Sequence, residues 1–314
     1  MSRAFIFPGQ GSQAIGMGKE LAETEPAARQ VFDTVDEALG QPLSALMFEG
    51  DMAELTLTEN AQPALMAVSL AAIKVLEDKI GSPLGDMATF VAGHSLGEYS
   101  ALAAAGALEL SDTARLLKLR GQSMQRAVPV GEGAMAAILG LDLEAVQAVA
   151  AEAAEAEVCA AANDNAPGQV VISGNRAAVE RAVALAAERG GRRSVLLPVS
   201  APFHCALMQP AAIEMAEALG AVSISRPAVP VISNVTATAV DEPEDIRRLL
   251  VEQITGAVRW RESVLFMKDH GVDSFVEVGA GKVLAGLVRR IDRDLKASAI
   301  NGPADVDAFV DEQR

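Results

Sequence analysis

The sequence predicts a protein of the α/β class, with a large unit that contains a parallel sheet and a smaller unit inserted into it. Half of the 314 residues are hydrophobic but only 4% are aromatic, which favours helices packed on a buried sheet. Short runs rich in β-branched and aromatic residues alternate with longer helical patterns along most of the chain. Between 128 and 198 this order changes to β-α-β-β-α-β, which indicates a separate small unit.

Composition and charge exclude several classes of function. The chain has 26 basic and 42 acidic residues, a net charge of −16, which argues against a general nucleic-acid binder and against attraction to anionic membranes. No apolar run reaches the roughly eighteen residues of a membrane helix, and no signal-peptide pattern precedes the first strand at 4–7. The two cysteines, Cys159 and Cys205, indicate a reduced, cytoplasmic setting without disulfides.

The first strand leads into a tight turn with the sequence PGQGSQ at 8–13. Its spacing does not match the dinucleotide-binding fingerprint, since Ala14 stands where a glycine is required. It does not match the P-loop either, since no Gly-Lys-Ser/Thr follows. A nucleotide-phosphate site is therefore not expected at this turn. Helical patterns follow at 25–39 and 62–79.

The best-defined stretch is a strand, the sequence GHSLG at 93–97, and an alanine-rich helix. Strand, Gly-x-Ser-x-Gly and helix together form a nucleophile elbow, a sharp turn that exposes the serine hydroxyl above the sheet. The helix N-terminus behind Ser95 offers unpaired N–H groups where an oxyanion would form. The sequence therefore predicts a nucleophilic Ser95, with a purely structural turn as the alternative.

The next helical pattern, at 111–127, places an arginine among apolar residues. On a helical wheel Arg120 lies in the middle of the apolar stripe, opposite the basic Arg115, Lys118 and Arg126. A guanidinium in such a stripe must be paired or must face a cleft, because burying it alone is costly. An internal salt bridge with a core acid and a role in a binding site are both open for Arg120.

The small unit is predicted to fill 128–198, inserted into a large unit formed by 1–127 and 199–314. Its β-α-β-β-α-β order is that of a ferredoxin-like unit, with strands expected at 134–139, 158–162, 169–173 and 194–199. The sequence NDNAPG at 163–168 is expected to form a turn with Pro-Gly in type II positions.

A histidine follows the small unit in the sequence SAPFHC at 200–205. A lone loop histidine is more often structural, but an elbow serine needs a base to take its proton, so His204 is expected to pair with Ser95. Cys205 is an alternative nucleophile, but the sequence does not place it on an elbow. It is expected to be a small buried residue. Further on, the turn GAGK at 279–282 opens a final helix and is a weak candidate anion site.

These motifs occur together and in order, and their combination resembles a known family. The chain is similar to malonyl-CoA:acyl carrier protein transacylases, the acyltransferases of bacterial fatty-acid synthesis that also occur as domains in polyketide synthases. The resemblance spans nearly the whole length. It implies an α/β-hydrolase-like large subdomain with an inserted ferredoxin-like small subdomain. The motifs that carry it are FPGQGSQ at 7–13, GHSLG at 93–97, Arg120, NDNAPGQ at 163–169, SAPFH at 200–204 and Gln253 before VRW at 258–260.

The resemblance also implies roles for individual residues. Ser95 would attack the thioester of malonyl-CoA, and His204 would take its proton and return it to the leaving thiol. Backbone N–H groups of Gln10 and Leu96 would hold the oxyanion. Arg120 would bind the malonyl carboxylate in a bidentate fork. A backbone carbonyl near Gln253 would orient the histidine.

Phe203 and Asn163 are expected to line the substrate pocket, with Phe203 crowding an α-methyl branch and so favouring malonyl over methylmalonyl. The family usually has proline at two positions where this chain has Ala257 and Ala280, which would loosen a loop without removing a reacting group. The expected substrates are malonyl-CoA and the phosphopantetheine thiol of holo-acyl carrier protein. No cofactor, metal ion, nucleic acid or membrane partner is expected, and the chain is expected to be a cytoplasmic monomer.

Two other functions remain open. A thioesterase or lipase-like hydrolase would use the same elbow with water as the acceptor. Asp112, Asp142 and Asp164 lie between the serine and the histidine in chain order, as candidates for the triad carboxylate of such an enzyme. The arginine in the apolar stripe favours a carboxylated acyl group over a fatty one. A non-catalytic module that docks carrier proteins would lack the serine or the histidine, and both are present.

The negative net charge matters for binding an acidic carrier protein. Because global attraction is excluded, a local basic patch must steer the partner. Arg189, Arg192 and Arg193 are favoured, since they lead into the strand just before His204. The polar face of the helix that carries Arg120 is the second candidate, and ordinary solvated faces are the alternative to both.

Overall fold

The computed structural model describes residues 2–313, which form two β-sheets with helices packed against them. The strands are β1 (Arg3–Phe7), β2 (Phe90–Gly93), β3 (Gly133–Leu139), β4 (Cys159–Ala166), β5 (Gln169–Asn175), β6 (Arg193–Leu196), β7 (Val231–Ile232), β8 (Ala239–Val240), β9 (Ser274–Val278) and β10 (Lys296–Ile300). None of the helices in 2–313 is long and apolar enough to cross a membrane.

The helices lie mainly between the strands of the first sheet. They are α1 (Lys19–Thr24), α2 (Pro26–Leu39), α3 (Leu43–Glu49), α4 (Met52–Thr56), α5 (Thr58–Ile80), α6 (Leu84–Met87), α7 (Leu96–Ala104), α8 (Leu110–Arg126), α9 (Leu143–Ala154), α10 (Arg176–Glu188), α11 (Gln209–Ala221), α12 (Pro243–Thr255), α13 (Trp260–Asp269), α14 (Val283–Ile291) and α15 (Pro303–Gln313).

The first sheet has six strands in the order β10-β9-β1-β2-β7-β8, and all its pairs are parallel except β7–β8. The apolar run of β1 is fully buried, as expected for a parallel strand covered by helices on both faces. Helix α5 is also buried along most of its length, and it begins at Thr58, four residues before the predicted start. Because β1 pairs directly with β2, the loops that follow these two strands meet at one edge of the sheet.

The second sheet has four antiparallel strands in the order β4-β5-β3-β6. It has its own apolar core, in which Ile138 and Ile172 of the sheet pack with Val149 of α9 and Val179 of α10. This topology is the ferredoxin-like arrangement, so the predicted fold class is confirmed. The boundaries of the small unit at 128 and 198 stay a prediction.

The structure corrects the prediction of a turn over 163–168. Strand β4 continues to Ala166, and only Pro167 and Gly168 form the turn. The reason is a second backbone partner for β4, because the Asp164 N–H donates to Val258 O and the Val258 N–H donates to Ala162 O. These bonds join the small sheet to the segment before α13, and they satisfy backbone groups that a turn would leave exposed.

The chain after α14 also differs from the prediction of a final helix there. Residues 296–313 add an edge strand, β10, beside β9, followed by α15. In β10 only Ala297 and Ile300 are buried, and the short, partly polar sequence KASAI gives a weak strand signal.

Candidate active site

The nucleophile elbow forms where the sequence predicts it. Ser95 stands between β2 and α7 with φ 54° and ψ −109°, a conformation that costs a non-glycine residue about 1–3 kcal/mol. The flanking glycines are needed for space rather than for a positive φ. A Cβ on Gly93 would lie 1.8 Å from Gly97 O, and a Cβ on Gly97 would lie 2.3 Å from Phe7 O.

Ser95 and His204 form a hydrogen-bonded pair, with 2.8 Å between Ser95 Oγ and His204 Nε2. The other ring nitrogen, Nδ1, lies 2.9 Å from Gln253 O and 3.1 Å from Gly256 O. Because carbonyl oxygens only accept hydrogen bonds, Nδ1 carries the proton and Nε2 accepts from the serine hydroxyl. The chain thus orients its histidine with two backbone carbonyls where a hydrolase triad has a carboxylate.

Burial of the ring and, to a smaller extent, the nearby charge of Arg120 lower the pKa of His204 to about 3. The imidazole is therefore neutral at physiological pH, the state that a general base requires.

The guanidinium of Arg120 lies beside this pair although the side chain is only 1% exposed. Its Nη2 donates to Ser95 Oγ at 3.1 Å and to Gln253 Oε1 at 2.8 Å, and its Nη1 donates to Gln62 Oε1 at 2.8 Å. The expected alternative, a direct salt bridge with a core acid, is absent among residues 2–313, since these partners are all neutral. The buried Nε of Arg120 has no hydrogen-bond partner within residues 2–313 either.

Two residues that the sequence analysis missed hold the elbow in place. Asn234, two residues after β7, accepts from the Ser95 N–H at 2.7 Å and donates to Gly93 O at 2.7 Å. Glu98, 2% exposed on the first turn of α7, accepts from the Asn234 N–H at 3.0 Å and from Gln253 Nε2 at 2.8 Å. A charged residue in a buried alanine-rich helix was the available signal for Glu98. Asn234 gave no such signal, because only the order of the strands in the folded sheet brings it next to the elbow.

Burial also makes the Glu98 carboxyl a weaker acid than usual, because it raises the pKa to about 7. Hydrogen bonds from Gln253 and Asn234 and the charge of Arg120 act in the opposite direction, because they favour the ionised carboxylate.

The predicted oxyanion donors occupy matching positions after adjacent strands. Gln10 and Leu96 each follow by three residues the ends of β1 and β2, where Phe7 pairs with Gly93. Within residues 2–313, neither backbone N–H has a hydrogen-bond partner. The side chain of Gln10 is held separately, since its Nε2 donates to Thr58 Oγ1 at 3.3 Å. Two free N–H groups at this edge suit a developing negative charge, and their assignment to this role stays a prediction.

Phe203 and Asn163, the predicted pocket residues, are both buried. Phe203 packs in the main apolar core immediately before His204. Asn163 lies in β4 and pairs with Val258. The residue of this strand that contacts the elbow is Asn165, whose Oδ1 lies 2.9 Å from His94 Nε2. The roles of Phe203 and Asn163 toward substrate stay predictions.

The other candidates are engaged elsewhere. Asp112 pairs with Arg115, Asp142 caps α9 and Asp164 pairs with Arg261, so none of these three acids contacts His204. Cys205 is buried as expected, and burial raises the pKa of its thiol, which disfavours the reactive thiolate.

The turn at 279–282 already holds an anion of the chain itself. Glu277 Oε2 accepts from the Ala285 N–H at 2.8 Å at the start of α14. The proposed anion site there is thus filled by a buried carboxylate.

Fold and site together define a class: an α/β protein with a serine nucleophile on an elbow, a neutral histidine beside it and a buried arginine facing the serine. The family model described as the acyl transferase domain matches residues 4–306, and the chain belongs to this family. The predicted resemblance is therefore confirmed.

The chain is 50% identical over 308 residues to the malonyl CoA-acyl carrier protein transacylase of Bacillus subtilis (strain 168), covering 98% of this chain and 96% of that protein. The crystal structure of an acyl-carrier-protein-S-malonyltransferase from Bartonella henselae matches with a TM-score of 0.97 at 54% identity and covers 99% of both chains. A structure of a malonyl-transacylase in complex with its type II PKS acyl-carrier protein matches with a TM-score of 0.95 at 42% identity, covering 99% of this chain and 100% of that chain.

Stability is expected to depend on pH through Glu98. Its folded pKa of about 7 exceeds the ordinary 4.5, so the folded state binds the proton more tightly than the unfolded state does. This group therefore lowers the free energy of unfolding by about 3 kcal/mol as pH rises from about 4.5 to about 7. Glu98→Gln removes the titration. Urea denaturation should show that the stability of the wild type relative to Glu98→Gln is greater near pH 5 than near pH 7.5.

The pKa shifts of other groups affect the wild type and Glu98→Gln equally, so they cancel in the difference between the two free energies of unfolding. A difference that does not change with pH would show that Glu98 titrates normally in the folded protein.

Proposed function

We propose that this chain transfers a malonyl group from CoA to the phosphopantetheine thiol of an acyl carrier protein through an acyl-enzyme on Ser95. Family membership supports acyl transfer. Two relatives are a malonyl CoA-acyl carrier protein transacylase and a malonyl-transacylase in complex with its acyl-carrier protein, and these similarities support the donor and the acceptor.

The chemistry divides into two half-reactions with the same participants. His204 Nε2 takes the Ser95 proton as Oγ attacks the thioester carbonyl, and the backbone N–H groups of Gln10 and Leu96 stabilise the oxyanion. Collapse of the tetrahedral intermediate breaks the C–S bond, and His204 returns the proton to the CoA thiolate. The carrier-protein thiol then gives its proton to His204 and attacks the acyl-enzyme, and Ser95 recovers its proton.

The observation that carries this proposal is the buried, incompletely paired charge of Arg120 beside the nucleophile. A buried guanidinium whose direct partners are neutral, and whose Nε has no partner within residues 2–313, is expected to bind an anion. An acyl group on Ser95 that ends in a carboxylate supplies that anion within reach of the fork. A fatty acyl group would leave the charge unpaired in an apolar environment.

The surface charges favour one of the two predicted docking patches. Arg192 and Arg193 are exposed and have no ion-pair partner within residues 2–313, whereas Arg189 pairs with Glu152. On the polar face of α8, the three cations are each neutralised by a carboxylate: Arg115 by Asp112, Lys118 by Glu59 and Arg126 by Glu214. Unpaired cations are better suited to bind an acidic partner, so we propose that the carrier protein docks at Arg192 and Arg193.

We also propose that the chain acts as a cytoplasmic monomer and that it needs no cofactor. Gel filtration with light scattering tests the oligomeric state. Malonyl transfer by the chelator-treated, dialysed protein tests the cofactor.

Ser95→Ala is expected to abolish covalent labelling by malonyl-CoA and to lower the transfer rate by about 10³–10⁶-fold, because the nucleophile is lost. Mass spectrometry of the protein after incubation with malonyl-CoA checks the adduct. A malonyl adduct on Cys205 in the wild type would contradict the assignment. Free malonate as the main product in the presence of holo-carrier protein would instead identify a thioesterase.

Arg120→Ala is expected to reduce malonyl transfer by about 10²-fold or more, because a buried hydrogen-bonded charge pair with the substrate carboxylate is lost. Acetyl transfer should change little or improve. Arg120→Lys should also be poor, since an ammonium does not reproduce the planar fork. Steady-state kinetics with malonyl-CoA and acetyl-CoA check this selectivity, and equal losses for the two donors would show a purely structural role.

Reversing Arg192 and Arg193 to glutamate is expected to raise KM for the carrier protein, because the local basic patch becomes acidic. Acylation of Ser95 by malonyl-CoA should change much less. The matched control is the double reversal Arg115→Glu with Arg126→Glu on the competing face. If only the control raises KM, docking occurs on α8, and if neither does, both patches are wrong.

A further inference from the structure

The backbone of the nucleophile is held by two amide side chains from distant parts of the chain. The Ser95 N–H donates to Asn234 Oδ1 at 2.7 Å, and Ser95 O accepts from Gln253 Nε2 at 2.9 Å. These two bonds fix both polar groups of a residue whose φ of 54° is unfavourable. Without them the serine would relax toward an ordinary conformation, and its hydroxyl would move away from His204.

Both amide residues are in turn held by one carboxylate oxygen. Glu98 Oε2 accepts from Gln253 Nε2 at 2.8 Å and from the Asn234 N–H at 3.0 Å. Glu98 is three residues after Ser95 on the first turn of α7, and it is 2% exposed. Hydrogen bonds to an ionised acceptor are about twice as strong as those between neutral groups, and more so where water is excluded.

Gln253 connects the same carboxylate to the other two groups of the site. Its backbone O accepts from His204 Nδ1 at 2.9 Å, and its Oε1 accepts from Arg120 Nη2 at 2.8 Å. A shift of Gln253 would therefore disturb the base and the arginine together with the serine.

We propose that Glu98 is the positioning carboxylate of this active site, which holds Ser95, His204 and Arg120 in reactive geometry through Gln253 and Asn234. The inference rests on the proposed function for its assay. In a hydrolase triad the carboxylate contacts the histidine directly, whereas here it acts through one intervening residue. The negative charge also compensates Arg120 without occupying any of its N–H groups, and the Nε–H, which has no partner within residues 2–313, stays available for a substrate anion.

The pH dependence of acylation should report this role. Groups that face Glu98 include Arg120 from α8, the neighbouring Tyr99 on α7 and, beyond Gln253, the neutral His204. Burial gives Glu98 a pKa of about 7 and His204 a pKa of about 3, so Glu98 is the group that titrates near neutrality. Protonation weakens its hydrogen bonds, and Ser95 acylation by malonyl-CoA should fall as pH drops below about 7.

The experiment measures the single-turnover rate of Ser95 malonylation against pH for the wild type, Glu98→Gln and Glu98→Asp. Glu98→Gln keeps the shape of the side chain but not its charge. Glu98→Asp keeps the charge but withdraws the oxygen by about 1.5 Å. The matched control is Glu277→Gln, because Glu277 is also buried and hydrogen-bonded but lies in β9, where its carboxylate accepts from the N–H of Ala285 in α14.

Both Glu98 variants should lose about 10²-fold in acylation rate near pH 7.5, with a much smaller change in the Kd of malonyl-CoA. The acylation rate of Glu98→Gln should lack the acid limb, that is, the fall in rate as pH drops through about 7. At every pH it should resemble the rate that the wild type shows at low pH. Glu277→Gln should keep the wild-type rate within about threefold and keep the acid limb. A Glu98→Gln protein with the wild-type rate, or with the acid limb retained, would overturn the proposal.

A donor-independent probe separates this inference from the proposed function. Phenylmethylsulfonyl fluoride reacts with an activated serine and needs neither malonyl-CoA nor a carrier protein. If the wild type does not react with malonyl-CoA, the proposed function fails, and the sulfonylation rates of the same variants still test Glu98.

If Glu98→Asp and Glu98→Gln both fail to fold, the acid limb of the wild-type rate decides. An acid limb centred far from pH 7 in the wild-type rate would exclude Glu98 as the group whose charge controls the site.

Discussion

A positive charge buried beside the nucleophile is the constraint on which the rest of this active site depends. The Arg120 guanidinium is 1% exposed and lies 3.1 Å from Ser95 Oγ. Burying such a group without compensation costs several kcal/mol. The chain compensates it with the amide oxygens of Gln62 and Gln253, with the ring of Tyr99 at 5.6 Å and with the nearby carboxylate of Glu98. None of these partners neutralises the charge by direct contact, so the charge remains available to an anionic ligand.

The same constraint accounts for the way the histidine is held. A carboxylate on His204 Nδ1 would place a second anion close to Arg120 and would compete with the carboxylate of a substrate. The carbonyls of Gln253 and Gly256 orient the ring without adding charge. Burial and the neighbouring cation keep the imidazole neutral and ready to accept a proton. The departure from a hydrolase triad is therefore consistent with an acyl group that brings its own negative charge.

Much of this arrangement was predictable because it is local in the chain. Strand β2, the Gly-x-Ser-x-Gly turn and α7 follow from apolar periodicity and glycine spacing, and the β-α-β-β-α-β order of the small unit is equally local. The error at 163–166 shows where local reasoning fails. Asparagine and aspartate favour turns, but Val258 pairs with this segment from nearly a hundred residues away and keeps it extended. Asn234 was missed because a loop amide has no periodic signal, and Glu98 was missed although its charge in a buried alanine-rich helix was a signal.

The sequence by itself determined the elements, the elbow and the types of residue available for chemistry. Tertiary structure decided which of them meet. The Ser95–His204 contact joins residues 109 apart in the chain, and the Gln253–Ser95 contact joins residues 158 apart. Such contacts depend on how parallel strands bring their carboxyl ends to one edge of the sheet. Side-chain periods of 2 and about 3.6 residues are properties of near neighbours, whereas the partners of a buried charge are selected only when the whole core is packed.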